Sequence, residues 1–391
     1  MKTYRVNLFF VAYDFFLFIN LFSSSLYFKY YVGFVYNAMI FLCIMLLVVQ
    51  EGVIKKSTNK KSLYGLLVLG IIIILMIISI SIRRQLVLIA TLVFIYCARD
   101  ISFEDIARRT ILISCFALIV IVISSYIGII DNYIAYQKNG ERIRQFLGFR
   151  YALYPGAILS NIVLLKIYIK RELITIREIL GLFVINYIIY YYTDSRLTFY
   201  IICLALIWIT LVKAFPKFID KGNPWEKILV PTYLICGITS YIITNNFALD
   251  SNWKLMLNTL FSNRLYLGKR AIDMYGITLL GKSVEWVGNG LDAVGEQVIG
   301  TYNYVDCLYI QIAIQYGILF GIILIAVLTY SNYKAFVTNN NYALVLFSII
   351  ALHGMVDDLI LYIQYNTFWF LAGSLIIGEY RNRKQKQLNI L

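Results

Sequence analysis

The stretch TILISCFALIVIVISSYIGII, residues 110–130, contains no charged side chain over its whole length. A helix of about 20 apolar residues crosses the roughly 30 Å hydrocarbon core of a bilayer, so this stretch predicts a transmembrane helix. Similar runs recur between polar breaks. We predict about twelve spans, at residues 8–28, 31–49, 63–82, 86–98, 110–130, 151–169, 179–193, 197–215, 228–244, 305–331, 342–356 and 366–378. The predicted fold is therefore an all-α, polytopic integral membrane protein, with residues 1–391 as a single membrane domain.

The composition of the whole chain supports this class. Of its 391 residues, 61% are hydrophobic and only 14% are charged, whereas about a quarter of a soluble chain is charged. These values exclude a large soluble catalytic domain. The first apolar run is long and lacks a small-residue cleavage site, so we interpret it as a retained span and not as a signal peptide.

The net charge of +14 follows the predicted topology. With both termini in the cytoplasm, most basic residues fall on the cytoplasmic loops, as the positive-inside rule requires. We therefore expect a multi-pass protein of a cell membrane, in contact with the lipid bilayer, and we expect no nucleic acid as a partner. The basic clusters assigned to the cytoplasmic side include Lys55, Lys56, Arg99, Arg108, Arg109, Lys170, Arg171, Lys213 and Arg381.

Two predicted outer loops carry arginine on the side where the positive-inside rule disfavours it. The first outer loop, residues 131–150, contains Arg142, Arg144 and Arg150, and the large outer loop, residues 245–304, contains Arg264 and Arg270. A guanidinium can hold a phosphate with two parallel hydrogen bonds, so these arginines predict a phosphate-bearing ligand such as a lipid pyrophosphate. The alternative is a surface that contacts only solvent or lipid headgroups.

Two arginines lie at the ends of predicted spans. Arg150 begins one span, and Arg196 lies in the short turn between two others. An ionisable group at that depth usually faces a cavity or a partner, which predicts a catalytic role for both. For Arg196 the alternative is a purely structural pair with Asp194.

The single histidine, His353, lies four residues before Asp357. If the helix continues past Gly354, the two side chains share one face, and the carboxylate can orient the imidazole. This pair predicts a proton acceptor for an attacking hydroxyl group. The alternative is a histidine that only packs and forms hydrogen bonds.

Other motifs are missing from the sequence. It contains no HExxH or DxD motif and no cluster of His and Cys residues. The sequence therefore gives no support for zinc proteolysis or metal-assisted binding of a nucleotide sugar. We predict no cofactor and no bound metal.

Five strings, in this order, resemble the Wzy family of polysaccharide polymerases from capsule and O-antigen clusters. They are GFRYALYPG, TDSR, FSNRLYLGKRAIDMYGITLLGK, NYVDCLYIQIAIQYGILFG and HGMVDDLILYIQYNTFWF, within residues 145–370. The resemblance implies a bacterial cytoplasmic (inner) membrane protein that joins repeat units carried on undecaprenyl pyrophosphate at the outer membrane face. It also implies that arginines of both outer loops contribute, which here are Arg142, Arg144, Arg150, Arg264 and Arg270.

The sequence thus favours a metal-independent membrane glycosyltransferase. The undecaprenyl-pyrophosphate-linked oligosaccharide would be its substrate, and a chain-length regulator and a flippase would be its partners. Two other functions stay open. A flippase for lipid-linked oligosaccharides would share the substrate and the number of spans, although it would need charged residues along a central cavity. An O-antigen ligase would share the chemistry and the arginines.

Overall fold

The computed structural model describes residues 2–51, 70, 86–137, 142–219, 223–248 and 251–377, and for residues 2–7, 137 and 218 it describes only the backbone. These residues are mostly helical, in agreement with the predicted class, and form fifteen α-helices and one antiparallel hairpin. The helices are α1 (Lys2–Ser23), α2 (Phe34–Val49), α3 (Leu86–Cys97), α4 (Phe103–Tyr126), α5 (Tyr154–Lys170), α6 (Ile176–Thr193), α7 (Arg196–Ala214), α8 (Pro224–Leu229), α9 (Thr232–Asn245), α10 (Asn252–Leu260), α11 (Arg264–Tyr275), α12 (Leu308–Gln315), α13 (Gly317–Val337), α14 (Asn341–Gly354) and α15 (Phe368–Ile376). The hairpin strands are β1 (Ile134–Gln137) and β2 (Arg142–Gln145), which the sequence did not predict.

Helix length limits how many spans can be recognised. Within the described part of the chain, α4, α7 and α13 are the three helices long and apolar enough, by length and composition, to cross a membrane. Shorter apolar helices cover Leu8–Ser23, Phe34–Val49 and Asn341–Gly354. The described helices therefore do not support the predicted number of about twelve spans. The predicted span at residues 63–82 lies outside the described residues.

Two predicted spans are wrong as continuous helices. The run at residues 305–331 divides into α12 and α13 because Gly317 has a positive φ of 88°, a conformation that glycine adopts readily and that ends a helix. The run at residues 228–244 divides at Pro231, which lies between α8 and α9. A proline ring cannot donate a backbone hydrogen bond and disfavours the helical conformation in the residue before it.

Buried aromatic rings hold the centre of the bundle together. In α1, the Tyr13 ring packs edge-on against Phe370 of α15 with centroids 5.2 Å apart, and Phe16 lies 4.7 Å from Phe94 of α3. Such ring pairs favour association beyond the area that they bury. Helix α14 is buried on almost every side, whereas α6 exposes Phe183 and other apolar side chains. An exposed apolar face of this kind suits contact with lipid.

The connections between helices lie at two ends of the bundle. One, the hairpin end, comprises the described residues 24–33, 127–137, 142–153, 194–195, 246–248, 251–307 and 355–367; for example, Arg150 N donates to Ser24 O over 2.9 Å. At the opposite end, Arg99 forms an ion pair with Glu51 at 2.7 Å, and Lys213 donates to Glu172 O over 3.1 Å. This grouping agrees with the predicted assignment of alternate loops to one side. It brings both predicted outer loops to the same end.

Candidate active site

The hairpin orients two arginines of the first outer loop. In β2, Arg144 pairs with Ala135 and Arg142 pairs with Gln137 of β1. Side chains two residues apart in a strand share a face, so both arginines turn toward the bundle while Ile143 between them is 53% exposed. The alternation of the strand therefore delivers two cations to the same side of the first outer loop.

Arg144 is buried at the hairpin end. Its Nε donates to the carbonyl oxygen of Thr193 over 3.0 Å, and its guanidinium lies 5.8 Å from the ring centroid of Tyr151. Burial lowers the pKa of Arg144, although interaction with Tyr151 opposes this effect. A cation with so little solvent contact gains from a ligand that brings negative charge.

Arg264 is a largely buried arginine of the large outer loop. It begins α11, directly after two residues in the left-handed conformation, Ser262 and Asn263. Its Nε donates to Asp306 O over 3.3 Å, and its Nη2 lies 3.5 Å from Asp306 Oδ2. The two side chains are only 11% and 10% exposed. Burial of a charge pair of this kind is costly unless both charges are compensated.

Tyr151 lies where the two outer loops meet. Its hydroxyl interacts electrostatically with Arg144 and Arg264 and also with Asp306 and Asp357. The structure thus brings together arginines that are 120 residues apart in the sequence. We call this group, with its neighbours, the buried cluster: Arg144, Tyr151, Arg264, Tyr304, Asp306, His353, Asp357 and Asp358.

The predicted histidine–carboxylate pair forms, but the geometry differs from the expectation. Helix α14 ends at Gly354, so His353 and Asp357 do not share a helix face. The chain turns instead, and Asp357 Oδ2 comes to lie 3.4 Å from His353 Nε2. Asp357 Oδ1 accepts a hydrogen bond from Leu359 N over 2.9 Å, which fixes the carboxylate.

The facing atoms of this pair have unused hydrogen-bonding capacity. Among the described residues, neither His353 Nε2 nor Asp357 Oδ2 has a hydrogen-bond partner, although the two side chains are only 3% and 4% exposed. Buried polar atoms are nearly always paired in folded proteins. The exception at this position suits a substrate hydroxyl that would supply the missing hydrogen bond.

Asp358 forms a second acidic position in the buried cluster. The hydroxyl of Tyr304, at the end of the large outer loop, donates to Asp358 Oδ2 over 2.6 Å. Burial, followed by the negative charges of Asp357 and Asp306, raises the pKa of Asp358. Like charges in a site with little water cannot all ionise easily, so this carboxyl group favours its neutral form.

Arg196 pairs with Asp194, which is the structural role given above as the alternative to a catalytic one. Asp194, in the left-handed conformation with a φ of 47°, accepts from Arg196 Nε over 2.9 Å and also from Arg142 Nε. Burial alone would raise the pKa of Asp194, but these two hydrogen bonds hold it below its usual value. Arg196 is 51% exposed and lies outside the buried cluster. Neither Arg142 nor Arg196 has the environment of Arg144.

Arg150 and Arg270 both donate to backbone carbonyl oxygens. Arg150 donates from Nε to Ser23 O over 2.9 Å, and its guanidinium lies 4.8 Å from the Phe28 ring centroid. Arg270 donates to the carbonyl oxygen of Tyr302 within the large outer loop. Arg150 therefore holds the first outer loop against the end of α1, and Arg270 holds the large outer loop together.

Sequence reasoning missed Asp306, Asp358, Tyr151 and Tyr304. The carboxylates carried a usable signal, because acidic residues beside apolar segments are expensive and commonly functional. The tyrosines carried none, since the chain has 33 of them. Only the fold shows which tyrosines meet the charged residues.

Neither the metal-ligating residues nor comparison with known proteins identifies the function of this site further. Within the described ranges, no group of three or more His, Cys, Asp and Glu side chains could hold a metal ion. Comparison of the chain with protein-family models, with curated proteins and with solved structures found no match.

Proposed function

We propose that this protein is a membrane glycosyltransferase that joins undecaprenyl-pyrophosphate-linked oligosaccharide repeats into a surface polysaccharide, a capsule or an O-antigen. One observation supports this most directly. Arg144 of the first outer loop and Arg264 of the large outer loop meet at Tyr151, beside the pair His353 and Asp357. Cations for a pyrophosphate and a base for a hydroxyl are the two requirements of such a transfer.

The proposed reaction assigns each group a separate task. A hydroxyl oxygen of the next lipid-linked repeat attacks the anomeric carbon of the growing chain and forms the new glycosidic bond. The bond from that carbon to the pyrophosphate oxygen breaks, and the lipid pyrophosphate leaves with the bonding electrons. His353, oriented by Asp357, accepts the hydroxyl proton, and the arginines stabilise the charge of the leaving group. Because the donor is already activated, the reaction needs no nucleotide sugar and no cofactor.

The proposal includes the membrane topology. We infer a bacterial cytoplasmic membrane protein with about twelve spans, cytoplasmic termini and the hairpin end at the outer face. Its support is the alternation of loop positions together with the basic residues Arg99, Lys170 and Lys213 near the opposite end. Positive loops of polytopic proteins face the cytoplasm. A flippase that delivers the repeats and a chain-length regulator would be its partners.

Deletion of the gene tests the proposal. The deletion cells should export single lipid-linked repeats to the outer face, and gel analysis should show no long surface glycan, because export precedes joining. Accumulation of repeats only on the cytoplasmic side would assign the protein as a flippase. Long chains that stay on the lipid carrier and are not transferred to their final acceptor would assign it as a ligase.

A further inference from the structure

A cavity lies at the hairpin end, between the two outer loops. It has a volume of about 400 Å³, within the roughly 300–1,000 Å³ range of small-ligand pockets. We call it the seam cavity. Its lining residues come from three separate segments and are Leu26, Lys29, Asp131, Asn132, Tyr133, Ile134, Leu291, Val294 and Gly295.

Hydrogen bonds join the three segments that line the seam cavity. Leu26 N donates to Gly148 O over 3.0 Å, and Gln297 donates to the hydroxyl of Tyr133. Asp292 Oδ1 accepts from the backbone of Val294 over 2.9 Å. The cavity walls are therefore held by the fold before any ligand binds.

The charges of the seam cavity select a class of ligand. Lys29 and Asp131 are its two charged lining residues, and both side chains are exposed. Apart from the contact of Lys29 with the Tyr30 ring at 5.1 Å, neither has a hydrogen bond or an ion pair with another described residue. The carboxylate of Asp131 repels an anionic ligand, and the ammonium group of Lys29 repels a cationic one. A neutral polyhydroxyl compound can use both, because hydroxyl groups donate to a carboxylate and accept from an ammonium group.

The position of the seam cavity relates it to Arg150. Leu291 N, on the cavity wall, donates to Arg150 O over 2.7 Å, and Arg150 N donates to Ser24 O two residues before Leu26. We propose that the seam cavity is a subsite for a sugar residue of the lipid-linked oligosaccharide, next to Arg150. This inference rests on the proposed function, since that function supplies the oligosaccharide. Apolar Leu26 and Leu291 would pack against the C–H face of the sugar, while Lys29 and Asp131 bind its hydroxyl groups.

Two variants and a matched control test the subsite. The probe is the oligosaccharide repeat released by mild acid from the lipid-linked repeats of the same cells, titrated into the purified full-length protein and followed by NMR. Lys29→Met and Asp131→Asn should each weaken binding about tenfold, the loss expected for a hydrogen bond to a charged group.

The control is Lys269→Met/Asp273→Asn, which removes an exposed ion pair on α11 that does not line the cavity. It should bind like the wild type, and excess inorganic phosphate should not displace the oligosaccharide.

Polymer length separates failure of the subsite from failure of the proposed function. In a reconstituted assay with intact lipid-linked repeats, Asp131→Asn should produce shorter chains because the growing chain dissociates sooner. Wild-type binding by both variants would overturn the subsite even if the protein polymerises normally. Absence of polymerisation by the wild type would overturn the proposed function, and the titration alone would then decide whether the cavity binds sugar.

Discussion

His353 Nε2 lies 3.4 Å from Asp357 Oδ2, although the helix that contains His353 ends one residue later, at Gly354. The turn after the helix, and not helical spacing, brings the carboxylate to the imidazole. Asp357 is also held by the backbone of Leu359. This buried placement suits a positioned proton acceptor.

Replacement of His353 by glutamine tests its role as a base. Glutamine keeps hydrogen-bonding capacity but cannot take up a proton at neutral pH. We expect His353→Gln to lose about 10²–10⁴-fold in the rate of polymerisation, the usual size of a general-base contribution. The measurement is turnover of purified lipid-linked repeats by reconstituted protein. Asp357→Asn should lose less of the polymerisation rate, because the Asp357 carboxylate orients the base and does not itself accept the proton. Near-normal turnover of His353→Gln would remove the histidine from the mechanism.

Replacement of Asp358 by asparagine should be tolerated near neutral pH. Burial and the neighbouring carboxylates raise its pKa, so the proton stays on the group to a higher pH than in an exposed aspartate. Asp358→Asn imitates this neutral form and should keep most of the activity near neutral pH. As the pH rises through the raised pKa, the wild type gains a negative charge beside Asp357, whereas the variant does not. The decline of the pH–rate profile on the alkaline side should therefore move to higher pH in Asp358→Asn. An unchanged profile would show that ionisation of Asp358 does not limit the reaction.

Arg264 tests whether the shape of the cation matters. It uses both Nε and Nη2 toward Asp306, a double contact that a lysine ammonium cannot make in the same geometry. We expect Arg264→Lys to depress polymerisation nearly as strongly as Arg264→Ala, and Arg150→Lys to behave in the same way toward pyrophosphate. Arg108→Lys, at an exposed site in the first turns of α4, is the control. Full activity of both lysine variants at the outer loops would reduce these arginines to general surface charge.

The sequence predicted part of this arrangement. Apolar runs located most of the helices, and the excess of arginine marked Arg144 and Arg264, because unusual residues on an outer surface are visible without coordinates. The breaks at Pro231 and Gly317 were missed, since apolar composition continues through both. The meeting of Asp306 with Arg144 and Tyr151 could not be predicted, because long-range packing brings two distant segments together.

Gly317 should be essential for folding. Its φ is 88°, and a Cβ added there would clash with the backbone of Gly281 and lie 2.5 Å from Leu279 O. We expect Gly317→Ala to destabilise the protein by more than about 2 kcal/mol, since both the left-handed conformation and the close contact oppose it. The thermal midpoint of the protein in detergent measures this. Gly321→Ala is the control, because its nearest neighbour, Ile312 Cγ2, would be at an ordinary 3.7 Å.

The start of α6 provides a separate test of stability. Thr175 accepts a hydrogen bond from Glu178 N over 3.2 Å, and Glu178 accepts one from Thr175 N over 3.0 Å, a capping box. Thr175→Ala should cost about 1 kcal/mol, whereas Thr175→Ser should be nearly neutral. The hydrogen bonds from Lys170 and from Thr175 lower the pKa of Glu178 to about 2. Its stabilising contribution should therefore be present above the pKa of an unfolded glutamate, about 4.3, and be lost as the pH falls toward 2. Thermal unfolding between pH 6 and about 2.5 should show a smaller pH dependence for Glu178→Gln than for the wild type.

The early end of α14 also determines the route by which a substrate can arrive. Its 14 residues rise about 21 Å at 1.5 Å per residue, which is about 9 Å less than the hydrocarbon thickness of a bilayer. Residues 355–367 would then lie below the headgroup level, where irregular backbone is stable only if protein surrounds it, as it does here. If the protein carries out the proposed reaction, a recessed site favours lateral entry of the isoprenoid carrier from within the leaflet. Only its glycan would need to extend into the aqueous phase.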